Sequence, residues 1–386
     1  MRENWEYKTF GEIGTFLRGK NIQKADFVSG GLPCIHYGQI HTKFDISIDY
    51  HLSEIPQEVY DKAIIASPGD VIIAITSEDI DGSCKSVVWL GNYDIAVSAH
   101  AAILKHNMNG KFIAYYLRSN TFFTQKLKYA RGFKVMEIKT KDLAKLVLPI
   151  PPKPTQLSIV SELDKLNELI QIKKEQLKDY DALAQSIFYE MFGDPVENEK
   201  GWEVKKIGDV CKTSSGGTPS KAHDEYYNGD ILWLRSGEVG QGDIYDTEQT
   251  ITLLGLENSS AKIFPVNTVV IAMYGATVGQ VGILRKEMST NQAICGILPN
   301  GVLTPEYLNY FLLRMKSEFL KLAIGGAQAN ISQQIIRKTL IPLPPLSLQK
   351  YFTCRIRQIK QQKAAIQKTI TDLETLLAAR MQYWFD

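Results

Sequence analysis

Apolar residues recur at alternating steps of three and four in two stretches of the chain, each about 40 residues long. The first stretch carries the seam Val160, Leu163, Leu166, Ile170, Leu177, Tyr180, Ala184, Ile187 and Met191. The second carries the seam Ile356, Ile359, Ile366, Ile370, Leu373, Leu377 and Trp384. One lysine interrupts each seam, Lys173 in the first and Lys363 in the second. This heptad-like spacing predicts two long helices that pair along an apolar stripe.

The residues before each helix have a different pattern, with many glycines and aromatic residues and with short apolar runs such as 71–75 and 269–273. Short runs of this kind are typical of buried strands, and they fall far below the roughly 18–20 residues that a membrane span needs. A proline-rich turn follows at 148–152 and again at 341–345. Because proline ends a strand and fixes the entry into the next helix, we predict globular domains at 1–150 and 194–343 and helices at 151–193 and 344–386.

The sequence contains one unit repeated twice in tandem. Its opening residues recur 197 positions later, so that the first set is Trp5, Glu6, Lys8 and Gly11 and the second is Trp202, Glu203, Lys205 and Gly208. Further matches join 38–40 to 237–239, 71–74 to 269–272 and 148–152 to 341–345, and Gln156 matches Gln349. Two copies of this length indicate a duplication rather than a solenoid.

A duplicated chain that closes on itself has a pseudo-two-fold axis between its copies, and this axis turns one helix antiparallel to the other. The charges favour that pairing, because residues 153–192 hold five basic and seven acidic side chains whereas 347–386 hold seven basic and three acidic. We therefore predict a mixed α/β (α+β) fold in which two globular domains are separated by two long helices forming an antiparallel coiled coil. The alternative is that each helix packs only on its own domain. A helix of about 38 residues would be roughly 57 Å long, the length of about 17 base pairs of DNA.

Composition narrows the class of protein less than the repeat does. The 386 residues include 44 Lys and Arg against 42 Asp and Glu, a net charge of +2 that neither demands nor excludes a polyanionic partner. The first residues contain no apolar segment of the secretory type. Five scattered cysteines, which have no metal-binding spacing, are expected to be buried thiols: Cys34, Cys84, Cys211, Cys295 and Cys354. These features predict a cytoplasmic protein with no membrane association.

The sequence contains fragments of catalytic motifs but no complete constellation. Residues 14–20 match a phosphate-binding loop, yet Asn21 replaces the Ser or Thr that would bind magnesium, so we interpret the segment as a turn. The nuclease-like 137–139 has no partner carboxylate motif and is interpreted as a surface strand. Histidines lack metal-ligand spacing, and no methyltransferase motif occurs. The sequence therefore predicts neither a catalytic nor a metal site.

Loops with small, hydroxyl and amide side chains are the best candidates for contact with a polyanion. In the second half they hold Ser215, Gly216, Gly217, Thr218, Ser220, Lys221, Tyr274, Thr277, Asn291 and Gln292. Exposed backbone N–H groups can approach phosphates, and Asn or Gln amides can pair with adenine in a major groove. The alternative is that these side chains only satisfy their own loop backbone.

The first half offers a basic segment at 118–145. Its basic residues are Arg118, Lys126, Lys128, Arg131, Lys134, Lys139, Lys141 and Lys145. Aromatic residues interleave with them, namely Tyr115, Tyr116, Phe122, Phe123 and Tyr129, and their helical spacing is more typical of a core than of a base-stacking platform. We therefore expect lysines and arginines, Arg131 and Lys134 among them, to contact DNA.

Taken together, the motifs resemble the specificity (S) subunit of type I restriction-modification enzymes over essentially the whole chain. The resemblance rests on the Trp-Glu-x-Lys opening of each half, on 215–221, on the Tyr-Gly-Ala-Thr-Val-Gly loop at 274–279, and on 325–332. The last of these segments adds Gln328 and Asn330 to the candidate contacts. In the first domain the candidates are Tyr37, Gln39, His41, Thr42 and Lys43.

The resemblance implies a division of labour. Each target recognition domain would read one half of a bipartite site in double-stranded DNA, and the helix pair would set the gap and dock two modification (M) subunits. Restriction (R) subunits would join the assembled complex. S-adenosylmethionine, ATP and Mg²⁺ would belong to those partners, so this chain would be non-catalytic and would carry no cofactor. The halves differ at 75–79 against 273–277 and at 99–101 against 291–293, so they are expected to read different sequences.

Two alternatives stay open at this point. The chain could be the specificity partner of a related, type II-like methyltransferase or restriction system. It could also be a coiled-coil scaffold that binds only protein.

Overall fold

The computed structural model describes residues 5–132, 135–240, 242–322 and 330–386. They form two compact units. The first unit is Met1–Lys174 together with Lys368–Asp386, and the second unit is Glu175–Gln367.

The strands of the first unit are β1 (Glu6–Thr9), β2 (Gly14–Arg18), β3 (Leu32–Ile35), β4 (Ser47–Ile48), β5 (Ser53–Ile55), β6 (Ile64–Ala66), β7 (Val71–Ala74), β8 (Thr76–Ser77), β9 (Ser86–Trp89), β10 (Ile95–Val97), β11 (Ala101–His106), β12 (Met136–Glu137) and β13 (Val147–Ile150). Its short helices are α1 (Phe10–Ile13), α2 (Tyr37–Thr42), α3 (Gln57–Tyr60), α4 (Gly110–Tyr116), α5 (Asn120–Lys126) and α6 (Thr140–Leu143). The long helix α7 (Lys153–Phe192) follows.

The strands of the second unit are β14 (Val204–Lys206), β15 (Thr213–Ser215), β16 (Tyr227–Leu234), β17 (Gly242–Ile244), β18 (Thr250–Ile251), β19 (Ile263–Phe264), β20 (Val269–Ala272), β21 (Val281–Leu284), β22 (Met288–Thr290), β23 (Ile294–Ile297) and β24 (Leu340–Pro342). Its helices are α8 (Ile207–Val210), α9 (Leu253–Glu257), α10 (Pro305–Leu322) and α11 (Gln333–Lys338). The chain ends in the long helix α12 (Leu346–Phe385). Short 3₁₀ helices lie at Lys24–Asp26, Asp224–Tyr226, Ser236–Glu238 and Gly275–Thr277.

The two units share one sheet topology. A five-stranded sheet has the order β2-β11-β7-β9-β4 in the first unit and β15-β23-β20-β21-β17 in the second. A four-stranded sheet has the order β5-β3-β10-β6 in the first and β18-β16-β22-β19 in the second. The pairs β1-β13 and β14-β24 also correspond. The pair β12-β8 of the first unit is matched in the second only by the isolated bridge between Tyr274 and Asn330. The matching strand orders confirm the duplication and the mixed α/β fold predicted from the sequence.

The central strands β7 and β20 explain the apolar runs of the sequence. Val71 and Ile73 contribute to one core cluster and Ile72 and Ala74 to another. The same alternation occurs in β20, where every residue is also buried. A strand covered on both faces has no solvent side on which polar residues could alternate, so its sequence is continuously apolar.

Each unit contains antiparallel pieces of both long helices. In the first unit, Glu162 of α7 accepts hydrogen bonds from Arg380 Nη2 at 3.1 Å and from Trp384 Nε1 at 3.0 Å, and Lys174 pairs with Glu374 at 2.8 Å. Because residue numbers rise along α7 while those of its partners fall along α12, the two helices run antiparallel. The hydrogen bond from Arg380 holds the pKa of Glu162 below its ordinary value.

In the second unit, Lys363 pairs with Asp181, and the rings of Phe188 and Phe352 have centroids 5.7 Å apart. This pairing is antiparallel as well. The most buried seam residues are Leu163, Ile170, Ala184, Ile356 and Ile370. At the C-terminal ends of the helices the buried positions are Phe192 and Phe385, next to the predicted seam residues Met191 and Trp384, which are only half-buried. The predicted antiparallel pairing is confirmed within each unit.

The end of α12 completes the core of the first unit. Phe385 is 6% exposed, and its ring centroid lies 5.5 Å from that of Phe112 and 5.7 Å from that of Tyr116. The Asp386 carboxylate accepts hydrogen bonds from the Thr121 N–H and hydroxyl, both at 2.9 Å. Residues more than 250 positions apart in the sequence therefore share one core.

Two local predictions were wrong. Residues Gly14–Arg18 form strand β2, not a turn, because they pair along their whole length with β11. Cys354 is exposed, since it lies on α12 away from the apolar seam, whereas the other four cysteines are buried as expected. Of the nuclease-like segment 137–139, only Glu137 belongs to a strand, β12, and Ile138 is fully buried, so the predicted surface strand is confirmed only at its first residue. No helix among the described residues is long and apolar enough to cross a membrane.

Replacing Phe385 with Ala should destabilise the first unit by about 3 kcal/mol, because the change removes a buried aromatic ring and leaves a cavity. Chemical denaturation of the full chain measures the loss. Hydrogen exchange locates it, with faster exchange expected in α4 and α5. The exposed Gln382→Ala variant is the control and should change neither quantity. Undisturbed protection of α4 and α5 in the Phe385→Ala variant would show that α12 does not close this core.

Candidate nucleic-acid interface

The topology gathers the predicted contact loops at one end of each five-stranded sheet. In the second unit β15, β23, β20 and β21 are successively antiparallel, so the C-terminal ends of β15 and β20 lie beside the N-terminal ends of β23 and β21. Residues 216–221, 273–280 and 291–293 therefore meet, and we call them the second loop edge. The same relation in the first unit brings together 19–21, 75–85 and 98–100, the first loop edge.

The glycines of 215–221 let this segment lie against the neighbouring strand. A Cβ atom at Gly216 would lie 2.1 Å from the Thr290 carbonyl oxygen, and one at Gly217 would lie 2.3 Å from the Ala261 nitrogen. The Gly217 N–H donates to the Thr290 carbonyl at 2.9 Å, and Trp233 Nε1 donates to the Gly217 carbonyl at 3.0 Å. The close approach explains why two glycines occur here.

Thr218 and Gln292 join two segments of the second loop edge. The Thr218 hydroxyl donates to Oε1 of Gln292, whose side chain is exposed. This contact orients the amide through its oxygen, which keeps a second lone pair, and Nε2 is the donor end of the same group. Lys221 is exposed at the end of the same loop.

Other candidates in the second unit use their polar atoms within the loops. The Asn291 side-chain oxygen accepts from the Ala293 N–H at 3.2 Å, and the Ser215 hydroxyl donates to Gln333 at 3.2 Å. Ser220 accepts from the Ala222 N–H at 3.3 Å. These bonds show that the three side chains organise the loop; their contact with DNA stays a prediction.

The loop at 274–279 pairs with the segment before α11. Tyr274 is 44% exposed and forms a β-bridge with Asn330. The Thr277 hydroxyl donates to the Tyr274 carbonyl at 3.2 Å. Asn330 therefore lies at the second loop edge, whereas Gln328 and Lys134 lie outside the described residues.

In the first unit, helix α2 contacts the first loop edge. His41 Nε2 lies 3.0 Å from the Thr76 carbonyl oxygen, and the rings of Tyr37 and His100 have centroids 5.1 Å apart. Thr42 donates its hydroxyl to the Gly38 carbonyl at 2.8 Å, and Lys43 is exposed at the end of the helix. The structure thus brings the predicted first-domain residues together.

Gln39 has a structural role that the sequence did not indicate. Its Oε1 accepts from the His36 N–H at 2.9 Å, and its Nε2 donates to the Ser53 hydroxyl at 2.7 Å. His36 and Gln39 form a capping box at the start of α2. At the corresponding place in the second unit, Glu238 accepts from the Arg235 N–H at 3.3 Å and from Arg235 Nε at 3.0 Å. The repeated motif at 38–40 and 237–239 is therefore explained by a helix cap.

Strand pairing corrects the alignment of the two halves by one residue. Ser98 N–H donates to the Ile35 carbonyl as Asn291 N–H donates to that of Leu234. The Ile75 N–H donates to the His100 carbonyl, and in the same way the Met273 N–H donates to the Ala293 carbonyl. Gln292 thus corresponds to Ala99, whereas the alignment of 99–101 with 291–293 had paired it with His100. Loop insertions hide this register until hydrogen bonds fix it.

The basic segment of the first unit is less exposed than predicted. Lys126 is 3% exposed, and its ammonium group donates to the Ser83 carbonyl at 2.7 Å, so its inclusion among surface contacts was wrong. Arg118 pairs with Asp45 at 2.5 Å and Lys145 with Asp142 at 2.8 Å. Exposed basic side chains remain at Lys128, Arg131, Lys139 and Lys141.

Arg131 lies close to the first loop edge. Its backbone exchanges hydrogen bonds with that of Glu137 in β12, which pairs with β8. The carboxylate of Glu137 pairs with Arg18 at 3.2 Å. The aromatic residues around this segment are buried or half-buried, in agreement with the predicted core role.

A basic groove in the second unit was missed. It has a volume of about 490 Å³ and is lined by Lys206, Arg337 and Lys338 together with Gln333. Gln333 donates to the Thr213 hydroxyl at 2.8 Å and accepts from Ser215, which places α11 beside the second loop edge. The repeat contained the signal, because Lys338 follows Lys145 by 193 positions. Within the described ranges, no cluster of three or more His, Cys, Asp or Glu side chains is arranged to hold a metal ion.

Two copies of one α/β domain, each with a polar loop edge and with antiparallel helix pieces, define a tandem-domain protein built on an internal repeat. The model of the family described as "Type I restriction modification DNA specificity domain" matches residues 2–179 and 199–375. The chain belongs to this family.

Relatives support this assignment. The MjaIX specificity subunit of Methanocaldococcus jannaschii is 32% identical over 186 residues, which are 45% of this chain and 43% of that protein. The EcoR124I/EcoR124II specificity subunit of Escherichia coli is 25% identical over 68% of this chain and 65% of its own length. The chain therefore spans less than two thirds of these two relatives. The MjaVIII specificity subunit of M. jannaschii is 22% identical over 97% of this chain and 92% of that protein.

Solved structures show the same fold. A chain from a study of complex assembly and conformational transition of the type I R-M system has a TM-score of 0.64, with 19% identity over 99% of this chain and 97% of that one. The S subunit of M. genitalium has a TM-score of 0.56, with 13% identity over 99% of this chain and 96% of that one.

The cap of α2 should be sensitive to pH. Burial lowers the pKa of His36, whose neutral Nδ1 accepts from the Gly38 N–H at 3.2 Å. A histidine whose pKa is depressed on folding stabilises the fold above its unfolded pKa of about 6.5, and the stability is lost as pH falls below that value. Protection of residues 37–43 from hydrogen exchange, corrected for intrinsic rates, should therefore fall between pH 7 and pH 5.

The His36→Asn variant should reduce that fall, because an asparagine oxygen caps a helix without taking up a proton. Residues 236–239 of the second unit, where Arg235 replaces His36, are the internal control. An equal loss of protection in wild type and variant would assign the pH dependence to another group.

Proposed function

We propose that this chain is the DNA sequence-specificity subunit of a type I restriction-modification complex. Each unit reads one half of a bipartite target in double-stranded DNA through its loop edge. The observation that carries this proposal is the repetition of one sheet end with different side chains. Thr76 and Tyr274 occupy corresponding positions, as do Ala99 and Gln292, so the same scaffold presents different chemistry in each unit.

The candidate side chains are of two kinds, those suited to base edges and those suited to phosphates. Gln292, whose amide is oriented by Thr218, has the donor and acceptor that pair with adenine in a major groove. Exposed Arg131 and Lys141 in the first unit, and Arg337 and Lys338 in the second, have the charge that phosphates require. Phosphate contacts set affinity and orientation, whereas contacts with base edges set sequence preference.

The long helices supply the rest of the role. Helices α7 and α12 have 40 residues each, which corresponds to about 60 Å at 1.5 Å per residue. We infer that the pair sets the gap between half-sites and docks two modification subunits, with restriction subunits joining through the assembled complex. S-adenosylmethionine, ATP and Mg²⁺ bind to those partner subunits, and this chain contributes DNA recognition rather than catalysis.

Methylome sequencing tests the proposal directly. Cells with the native modification subunit are compared with and without this chain. We expect a new split motif methylated at adenine on both strands only when the chain is present. No new motif, with the modification subunit shown to be active beside another specificity subunit, would overturn the proposal and favour a protein-only scaffold.

Replacing Gln292 with Ala should remove discrimination at one position of one half-site, at a cost of about 1–3 kcal/mol, and should leave the salt dependence of binding unchanged. Lys338→Ala, on the same unit, is the matched comparison. It should weaken binding to all sequences and lower the log–log salt slope by about 0.9. Competition binding at several salt concentrations measures both effects. A uniform loss for Gln292→Ala would remove its base-reading role.

A further inference from the structure

We propose that Lys126 and Lys85 are positioning residues for DNA reading by the first unit: they hold the loop 78–85 and helix α2 in place from inside the protein. This inference rests on the proposed function. It concerns two lysines whose ammonium groups bind backbone carbonyl groups of the protein.

Lys126 reaches the loop from the end of α5. Its Nζ donates to the Ser83 carbonyl at 2.7 Å and to the Asp81 carbonyl at 3.3 Å, and it lies 4.9 Å from the centroid of the Phe123 ring. The residue is 3% exposed, and burial lowers its pKa. A buried ammonium group is costly unless its hydrogen bonds are satisfied, so the two loop carbonyls and the lysine stabilise each other.

The loop needs this support more than its counterpart does. Cys84 N–H donates to the Ala74 carbonyl as Gly279 N–H donates to that of Ala272, so Cys84 and Gly279 correspond. Both have left-handed backbones, with φ of 66° and 76°. Glycine adopts this conformation without strain, whereas cysteine does not, and such a residue persists only where its surroundings hold it. The first unit's loop is also three residues longer between these corresponding points.

Lys85 extends the same support to α2. Its Nζ donates to the His41 carbonyl at 2.8 Å, and the His41 ring in turn lies 3.0 Å from the Thr76 carbonyl oxygen. The Ala74 N–H donates to the Lys85 carbonyl, and the Ala272 N–H donates to the Gln280 carbonyl. Gln280 is therefore the residue of the second unit that corresponds to Lys85. In the first unit Lys126 therefore binds the loop, Lys85 joins the loop to α2, and the His41 ring joins α2 to strand β8.

This arrangement makes a specific prediction about DNA. Loss of either ammonium group releases the loop or α2, so discrimination at the half-site read by the first unit falls. The charge was not facing a phosphate, so the salt dependence of binding stays the same. An exposed lysine has the opposite signature, and Lys128, two residues beyond Lys126, provides the matched control.

The experiment is selection from a random duplex DNA library by the full chain bound to its native modification subunit, followed by sequencing. Gln292→Ala identifies the half of the motif that the second unit reads. Lys126→Met and Lys85→Met should lower discrimination in the other half by about tenfold, the effect of one lost hydrogen-bond arrangement. Lys85→Arg, which keeps a donor, should retain the motif. Lys128→Met should keep the motif and lower the salt slope by about 0.9.

A lower salt slope with an unchanged motif for Lys126→Met would mean that this lysine reaches DNA, and the inference would be wrong. If Lys126→Met does not fold, Lys85→Met decides alone, since its half-exposed side chain can be removed without opening the core. A wild-type chain that selects no split motif contradicts the proposed function itself. A split motif kept by both methionine variants contradicts only the positioning role.

Discussion

Each unit closes its hydrophobic core with helix segments drawn from both copies of the repeat. In the first unit the closing residues come from the far end of the chain, with Phe385 packed on Phe112 and Tyr116. In the second unit Phe188 and Phe192, at the end of the first copy's helix, pack on Phe352 of the second copy's helix. In both units these rings are buried where α7 and α12 run antiparallel. The sheets, and the loop edges that they carry, depend on this exchange for a complete core.

Features set by local periodicity or by repetition could be predicted from the sequence. The seams of α7 and α12 follow from steps of three and four, and the runs of β7 and β20 follow from burial on both faces. The duplication was visible because corresponding turns keep their prolines and glycines. The second loop edge could be approached from 215–221, whose glycines are required by contact with Thr290 and Ala261.

Features set by contacts between distant residues could not be predicted. Lys126 belongs to a basic segment in the sequence, but its exposure is decided by carbonyl acceptors more than 40 positions away. Gln39 has the chemistry of a base-reading residue, but its amide is used by His36 and Ser53. The register of Gln292 against Ala99 became clear only from strand hydrogen bonds. Each of these features depends on hydrogen bonds between residues that lie apart in the sequence, so local patterns do not reveal it.

We propose that DNA contacts each sheet at its loop edge rather than at the opposite end of the sheet. Photochemical cross-linking of the chain and its modification subunit to duplex DNA with photoreactive bases, followed by mass spectrometry, tests it most directly. We expect cross-linked peptides from 37–43 and 75–85 in the first unit and from 216–221 and 291–293 in the second. Cross-links concentrated at the opposite ends of the same sheets, at 106–110 and 298–304, would contradict it.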